Sequence, residues 1–206
     1  MHEQESVILP LFYFGNIEYF YHLKNNETVF FDLQERYQKQ SYRSRCTIIG
    51  ANGIQQLSVP VEKPNGKNSL LSEVLVSQVE NWKKDHLKAI ESAYRRSPYY
   101  LYYIDGITKI IQTDFKYLFE LNAALNAYLI KKTGLTVNSH FTKEAIALHP
   151  NDLRVNLHPK NKSGFKTHPY IQTFEERHGF HGNLSILDLL FNEGPNSISI
   201  LSESHY

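Results

Sequence analysis

Three cationic residues, Lys39, Arg43 and Arg45, lie close together in the chain at odd-numbered positions. In an extended strand, side chains two residues apart project from the same face, so these three would form one cationic strip. The planar guanidinium group of arginine binds phosphate or carboxylate through two parallel hydrogen bonds. The spacing therefore predicts a site for an anionic small molecule such as a nucleotide-sugar. The alternative is a solvated edge-strand face, where Lys and Arg discourage association between strands.

Two titratable residues are candidates for general acid–base catalysis. Asp32 ends an apolar segment, where a strand-end carboxylate can orient an arginine or act as a base; alternatively it caps a turn or pairs with Arg36. His86 lies on the apolar side of a predicted helix, so it is either a base that lines a cleft or a neutral core histidine. Tyr170 is a further substrate-binding candidate, because Tyr and Trp commonly stack on sugars and bases.

Several other residues that could carry chemistry have structural explanations. Cys46 alternates with the cationic strip, so it is predicted to face the core, where thiols are usually inert. Asp188 follows Ser185 at the spacing of a helix capping box. The histidines give no defined metal-ligand geometry, because a glycine interrupts the His178–His181 pair and a proline follows each of His149, His158 and His168. No metal and no other cofactor is therefore expected.

Composition limits the class of protein. The 206 residues contain 22 basic and 21 acidic side chains, a formal charge of +1, so no global field recruits nucleic acid. The single cysteine excludes an intrachain disulfide framework and indicates a reducing compartment, by default the cytoplasm. No apolar segment approaches the length of a membrane span. The aromatic content of 13% argues against a disordered chain. The composition does not indicate an oligomeric state.

The strands that must position these residues are predicted in the first 80 positions. Apolar residues 7–14 indicate a buried strand, followed by a short helix with Asn16 as its cap and by a second strand at 28–33. Residues 41–49 and 55–61 predict a β-hairpin, because the Asn-Gly pair between them is a common hairpin turn.

The helices are predicted mainly in the second half of the chain. Residues 81–96 and 115–133 each place apolar side chains on one side at helical spacing, and a short helix is expected at 186–193. Residues 136–172 are polar and predict a long loop region with short strands at most. We therefore predict a single α+β domain over 1–206, with an N-terminal mixed β-sheet and β-hairpin covered by two long helices. Residues 1–80 are mainly strands, 81–135 helical, and 136–206 loops and short helices.

Ordered blocks of residues also resemble a known family. The chain resembles the WbqC-like family through blocks that begin at Leu9-Pro10, Phe31-Asp32, Lys39, Asn52-Gly53, Leu57, Trp82, Ser92, Pro169, His178-Gly179 and Asn183. The resemblance implies a place in the synthesis of bacterial surface polysaccharides such as O-antigen, and it implies no particular reaction. The favoured hypothesis is an enzyme that transfers an acyl or aminoacyl group to an amino group of a nucleotide-activated sugar. The alternative is a non-catalytic binding or scaffolding protein of the same pathway.

Overall fold

The computed structural model describes residues 6–78, 81–146 and 150–206. Its strands are β1 (Ser6–Ile8), β2 (Thr28–Asp32), β3 (Arg45–Gly50), β4 (Gly53–Ser58), β5 (Val61–Glu62), β6 (Leu75–Val76) and β7 (Asn138–Thr142). Its α-helices are α1 (Ile17–Asn25), α2 (Trp82–Tyr94), α3 (Tyr100–Gln112), α4 (Leu118–Lys132), α5 (Glu175–His178), α6 (Ile186–Glu193) and α7 (Ser197–Glu203). The predicted α+β class is confirmed.

The strands are divided among small sheets. The first, second and seventh strands form a parallel sheet in the order β1-β2-β7, in which Val29 lies opposite Val7 and Ser139. The third and fourth strands form the predicted antiparallel hairpin, and the fifth and sixth pair separately. Gly53 begins β4 with a φ of 97°, a conformation that glycine adopts without steric cost. The expected mixed sheet is thus a parallel sheet beside antiparallel hairpins.

Three long helices cover these strands, one more than the sequence predicted. Helices α2 and α4 lie within the predicted segments, whereas α3 was not anticipated. Two features of the α3 sequence argue against a helix. Its first residues are rich in tyrosine, which is more frequent in strands, and Gly106 in its interior disfavours helix formation. That glycine permits close packing, because a Cβ atom there would lie 2.4 Å from the ring of Tyr128 on α4.

The buried apolar side chains form one continuous cluster that draws on the strands, the long helices and α6. Polar anchors fix loops to this cluster. Asn16 caps α1 as predicted, accepting a hydrogen bond from the Tyr19 amide at 3.2 Å. Asn122 on α4 donates to the carbonyl oxygens of Leu11 and Arg43 at 3.2 and 2.7 Å. The second contact holds the segment before β3, which carries the predicted cations, against the core.

Candidate functional site

The segment that carries the predicted cationic strip is mostly not a strand. Strand β3 begins at Arg45, and residues 39–44 form turns in which Gln40 has a φ of 56°. Alternation between faces holds only along an extended strand, so the common face predicted for Lys39, Arg43 and Arg45 is wrong. Lys39 and Arg45 lie at the surface, and Arg43 points into the protein.

Arg43 is fully buried and forms an ion pair with Glu35. Its Nε and Nη2 atoms donate to the two carboxylate oxygens of Glu35 at 2.7 and 2.5 Å. Nη2 also donates to the carbonyl oxygen of Arg154 at 3.3 Å. Burial raises the pKa of Glu35, and Arg43 opposes that rise. This geometry makes Arg43 a structural partner of Glu35 rather than a residue that a solvent-borne ligand could reach.

Asp32 is also buried in an ion pair. Its carboxylate accepts from the amide of Gln34 at 2.8 Å, from the amide of Ile146 at 3.3 Å and from Nη1 of Arg154. Arg154 in turn contacts the carboxylate of Asp152. Asp32 therefore orients an arginine, as one interpretation anticipated, and that arginine is Arg154 rather than Arg36. Asp32 and Arg43 lie in the same buried network, because both contact Arg154.

His86 occupies the core. Its Nδ1 atom lies 2.8 Å from the hydroxyl of Tyr13, and its ring packs against Trp82. Burial lowers the pKa of His86 to about 4, so the imidazole is neutral at pH 7. A neutral, hydrogen-bonded ring that is 5% exposed matches the core interpretation of this residue.

Tyr170 belongs to a second buried polar cluster, centred on Asp188. The Tyr170 hydroxyl and the Gln172 side-chain amide donate to Oδ2 of Asp188 at 2.6 and 2.8 Å. Burial raises the pKa of Asp188 to about 6, although both hydrogen bonds lower it. The capping-box prediction for Asp188 is wrong, since Ser185 accepts from the Leu187 amide while the Asp188 carboxylate is bound to Tyr170 and Gln172.

The exposed cations of the predicted strip line a surface pocket, which we call the cation pocket. Its volume is about 310 Å³. The residues that line it are Tyr37, Lys39, Gln40, Ser44, Arg45, Ser58, Val59, Val61 and Lys63. It thus combines three cations with hydroxyl groups, two of which, on Tyr37 and Ser44, lie 2.6 Å apart.

The three cations of this pocket keep their positive charge uncompensated within the part of the chain that the structure describes. None of Lys39, Arg45 and Lys63 forms an ion pair with a described residue. Glu62, the acid next to Lys63 in the chain, lines a different pocket. The pKa of Lys63 is lowered, chiefly by its contact with Lys39. Such an arrangement favours an anion, which would relieve the repulsion between the two ammonium groups.

Lys63 was not among the residues predicted from the sequence. Arg45 pairs with Ser58, and the amide of Val59 donates to the carbonyl oxygen of Ser44 at 2.8 Å. Beyond this contact, residues 39–44 form turns and β5 pairs with β6, so a strand register read from the sequence could not place Lys63 beside Lys39.

Comparison with protein families identifies the chain. The model of the WbqC-like protein family matches residues 12–164. The chain belongs to the WbqC-like protein family. This confirms the family predicted from the residue blocks, although the blocks after residue 168 lie beyond the match. No curated protein and no solved structure matches the chain.

The described residues of this WbqC-like protein offer neither a reactive thiol nor a metal site. Cys46 is buried as predicted, and burial raises the pKa of its thiol. No group of three or more His, Cys, Asp or Glu side chains is arranged to hold a metal ion in the part of the chain that the structure describes; His149 lies outside that part. Among the described helices, none is both long and apolar enough to cross a bilayer.

Proposed function

We propose that this WbqC-like protein binds an anionic small molecule of the nucleotide-sugar class in the cation pocket. The observation that carries the proposal is the convergence of Lys39, Arg45 and Lys63 without an ion-pair partner among the described residues. A diphosphate supplies several oxygen acceptors, and the guanidinium of Arg45 can bind two of them at once.

The family supports the sugar part of this proposal. The family name and the resemblance stated above point to O-antigen synthesis, in which sugars are carried on nucleoside diphosphates. The buried thiol of Cys46 is compatible with a reducing compartment, so we propose the cytoplasm as the location. The ligand would then be a precursor of a bacterial surface polysaccharide.

The positions of the predicted acid and base favour binding over catalysis by these residues. The Asp32 carboxylate accepts three hydrogen bonds from the protein, and the His86 imidazole is bound to Tyr13 inside the core. Neither residue lines the cation pocket. The proposed function is therefore the non-catalytic alternative: recognition of an activated sugar in the polysaccharide pathway.

A thermal-shift panel with product analysis tests this function. A ligand present at 100 times its dissociation constant adds about 2.7 kcal/mol to stability. In a domain of this size, that gain raises the melting temperature by about 5–10 °C. We expect such a rise with UDP-N-acetylglucosamine and none with uridine, which lacks the diphosphate.

The same samples separate binding from transfer. The protein is incubated with a UDP-linked amino sugar and acetyl-CoA, and the sugar is examined by mass spectrometry. Unmodified sugar is expected from a binding protein. Enzyme-dependent N-acetylation would contradict the non-catalytic proposal, and equal melting temperatures with UDP-N-acetylglucosamine and uridine would contradict diphosphate recognition.

A further inference from the structure

A groove beside the hairpin turn at Ala51 has no role in the function proposed above. Its first part, about 500 Å³, lies between the last turns of α2 and Thr173. Its second part, about 850 Å³, lies between Thr173, Pro98 and the end of α6. The two parts share Arg96 and Thr173, and neither shares a lining residue with the cation pocket.

The two ends of the groove carry opposite charge. The first part is lined by Lys88, Arg95 and Arg96, with Glu91 as its single acid. The second part is lined by three acids and Arg96; the acids are Glu175, Glu176 and Glu193.

The glutamates of the second part keep carboxylate oxygens that accept no hydrogen bond from the described residues. Glu175 accepts a hydrogen bond from the amide of Gln172 through Oε2, and Glu193 accepts one from Asn196 through Oε2. Each of these carboxylates therefore keeps its other oxygen for a donor. Neither these acids nor Arg96 forms an ion pair with a described residue. A protonated amine is the donor that such a set of carboxylates would bind.

The floor between the two ends is formed by hydrogen-bonded polar side chains. The Thr173 hydroxyl donates to Oδ1 of Asn192 at 2.9 Å and lies 2.7 Å from the hydroxyl of Ser97. Gln172 and Asn192 line the groove although both are more than nine-tenths buried. Each also contacts Asp188 beneath the floor, Gln172 through the carboxylate and Asn192 through the backbone carbonyl.

The floor rests on a buried polar cluster around Asp188, whose carboxylate interacts with Tyr170, Gln172 and Tyr94. The opposite wall is apolar, because Pro98 and the 79% exposed Ile171 line the second part.

We propose that this groove binds an amino-sugar phosphate. The phosphate would lie at the cationic end, and the ammonium group would lie among the three glutamates. A sugar ring presents hydroxyls on its edges and C–H groups on its faces, which match the polar floor and the apolar wall. A ring also carries the two charged groups at different positions, so each can lie at its own end of the groove.

Calorimetric titration with four sugars tests each charge separately. Glucosamine 6-phosphate carries both charges. Glucose 6-phosphate carries only the negative charge, glucosamine carries only the positive charge, and glucose carries neither. We expect glucosamine 6-phosphate to bind the wild-type protein about tenfold more tightly than either singly charged sugar. Glu176→Gln should weaken glucosamine 6-phosphate about tenfold and leave glucose 6-phosphate unchanged, whereas Arg96→Gln should weaken both phosphates.

Two controls keep the result specific. Arg96 and Glu176 are exposed, so the variants should retain the wild-type circular dichroism spectrum. Lys109→Ala, which removes an exposed cation outside the groove and the cation pocket, should leave glucosamine 6-phosphate binding unchanged. Binding of UDP-N-acetylglucosamine is measured in the same variants, so failure of this proposal is separable from failure of the proposed function. Equal affinity for glucosamine 6-phosphate and glucose 6-phosphate, unaltered binding in both groove variants, or no binding at millimolar sugar would each overturn the proposal.

Discussion

Replacement of Arg43 by methionine should destabilise the protein strongly, although Arg43 was first expected to bind a ligand. The substitution removes two hydrogen bonds to Glu35 and one to the carbonyl oxygen of Arg154. It leaves the Glu35 carboxylate, whose side chain is 7% exposed, without its counter-ion. Loss of one partner from a buried ion pair costs about 3–5 kcal/mol, so we expect a decrease of that size in the free energy of unfolding at pH 7.

Urea unfolding followed by circular dichroism measures this decrease, and two variants identify its cause. Arg45→Met, two residues away at the surface, should change stability by less than about 0.5 kcal/mol. In the double variant Arg43→Met/Glu35→Gln, position 35 no longer carries an unpaired buried carboxylate, so this variant should be more stable than Arg43→Met by about 1 kcal/mol or more. The deficit of Arg43→Met should also shrink as the pH falls, because Glu35 can then be protonated.

The result that would refute this reasoning is a small effect at Arg43. If Arg43→Met costs no more stability than Arg45→Met, the buried ion pair is not structural. If Arg43→Met in addition loses affinity for a nucleotide-sugar, Arg43 would return as a ligand-binding residue.

Three further predictions concern buried titratable groups. Burial raises the pKa of Asp188 from 3.8 to about 6. The protonated carboxyl therefore stabilises the folded protein fully below pH 3.8, and this contribution of about 3 kcal/mol is lost as the pH rises through 6. In urea unfolding, the stability of Asp188→Asn relative to the wild type should therefore increase between pH 5 and pH 8. Parallel profiles of stability against pH for the two proteins would contradict this. The pKa of His86 is lowered from 6.5 to about 4, so stability is present above 6.5 and lost as the pH falls towards 4. His86→Gln should lack this acid-induced loss in melting curves, and an unchanged acid profile would argue against a buried neutral imidazole. Cys46 should react with Ellman's reagent only on unfolding, whereas fast labelling of the folded protein would place the thiol at the surface.

Local signals in the sequence predicted much of the fold. The Asn16 cap, the Asn-Gly hairpin and the inward-facing Cys46 each depend on residues a few positions apart. Helix α3 was missed because its local propensities conflict with its structure. Packing of Tyr128 against Gly106 and the hydrogen bond from Tyr128 to the Tyr103 carbonyl stabilise it, and these contacts come from another helix.

The candidate site was predicted less well, because it depends on distant partners. The predicted alternation of side chains along a strand placed Arg43 at the surface. Its position is instead fixed by Glu35 and by Arg154, which is 111 residues away in the chain. Asp188 matched a capping box at short range, yet its carboxylate binds Tyr170 and Gln172 from the region that was predicted only as a long loop. Lys39 and Arg45 both line the cation pocket, although not on the common strand face that was predicted for them, and the third cation there, Lys63, comes from beyond the hairpin.

The most direct test of anion recognition by the cation pocket is a calorimetric titration of UDP-N-acetylglucosamine into three proteins: wild type, Arg45→Ala and Lys109→Ala. Lys109 is an exposed cation on α3 that does not line the pocket, so its variant controls for the loss of one positive charge. Loss of a charge-assisted contact at Arg45 should weaken binding by about 1.5–3 kcal/mol, roughly 10- to 100-fold, while Lys109→Ala binds like the wild type. Equal affinity in all three proteins would contradict the proposed function.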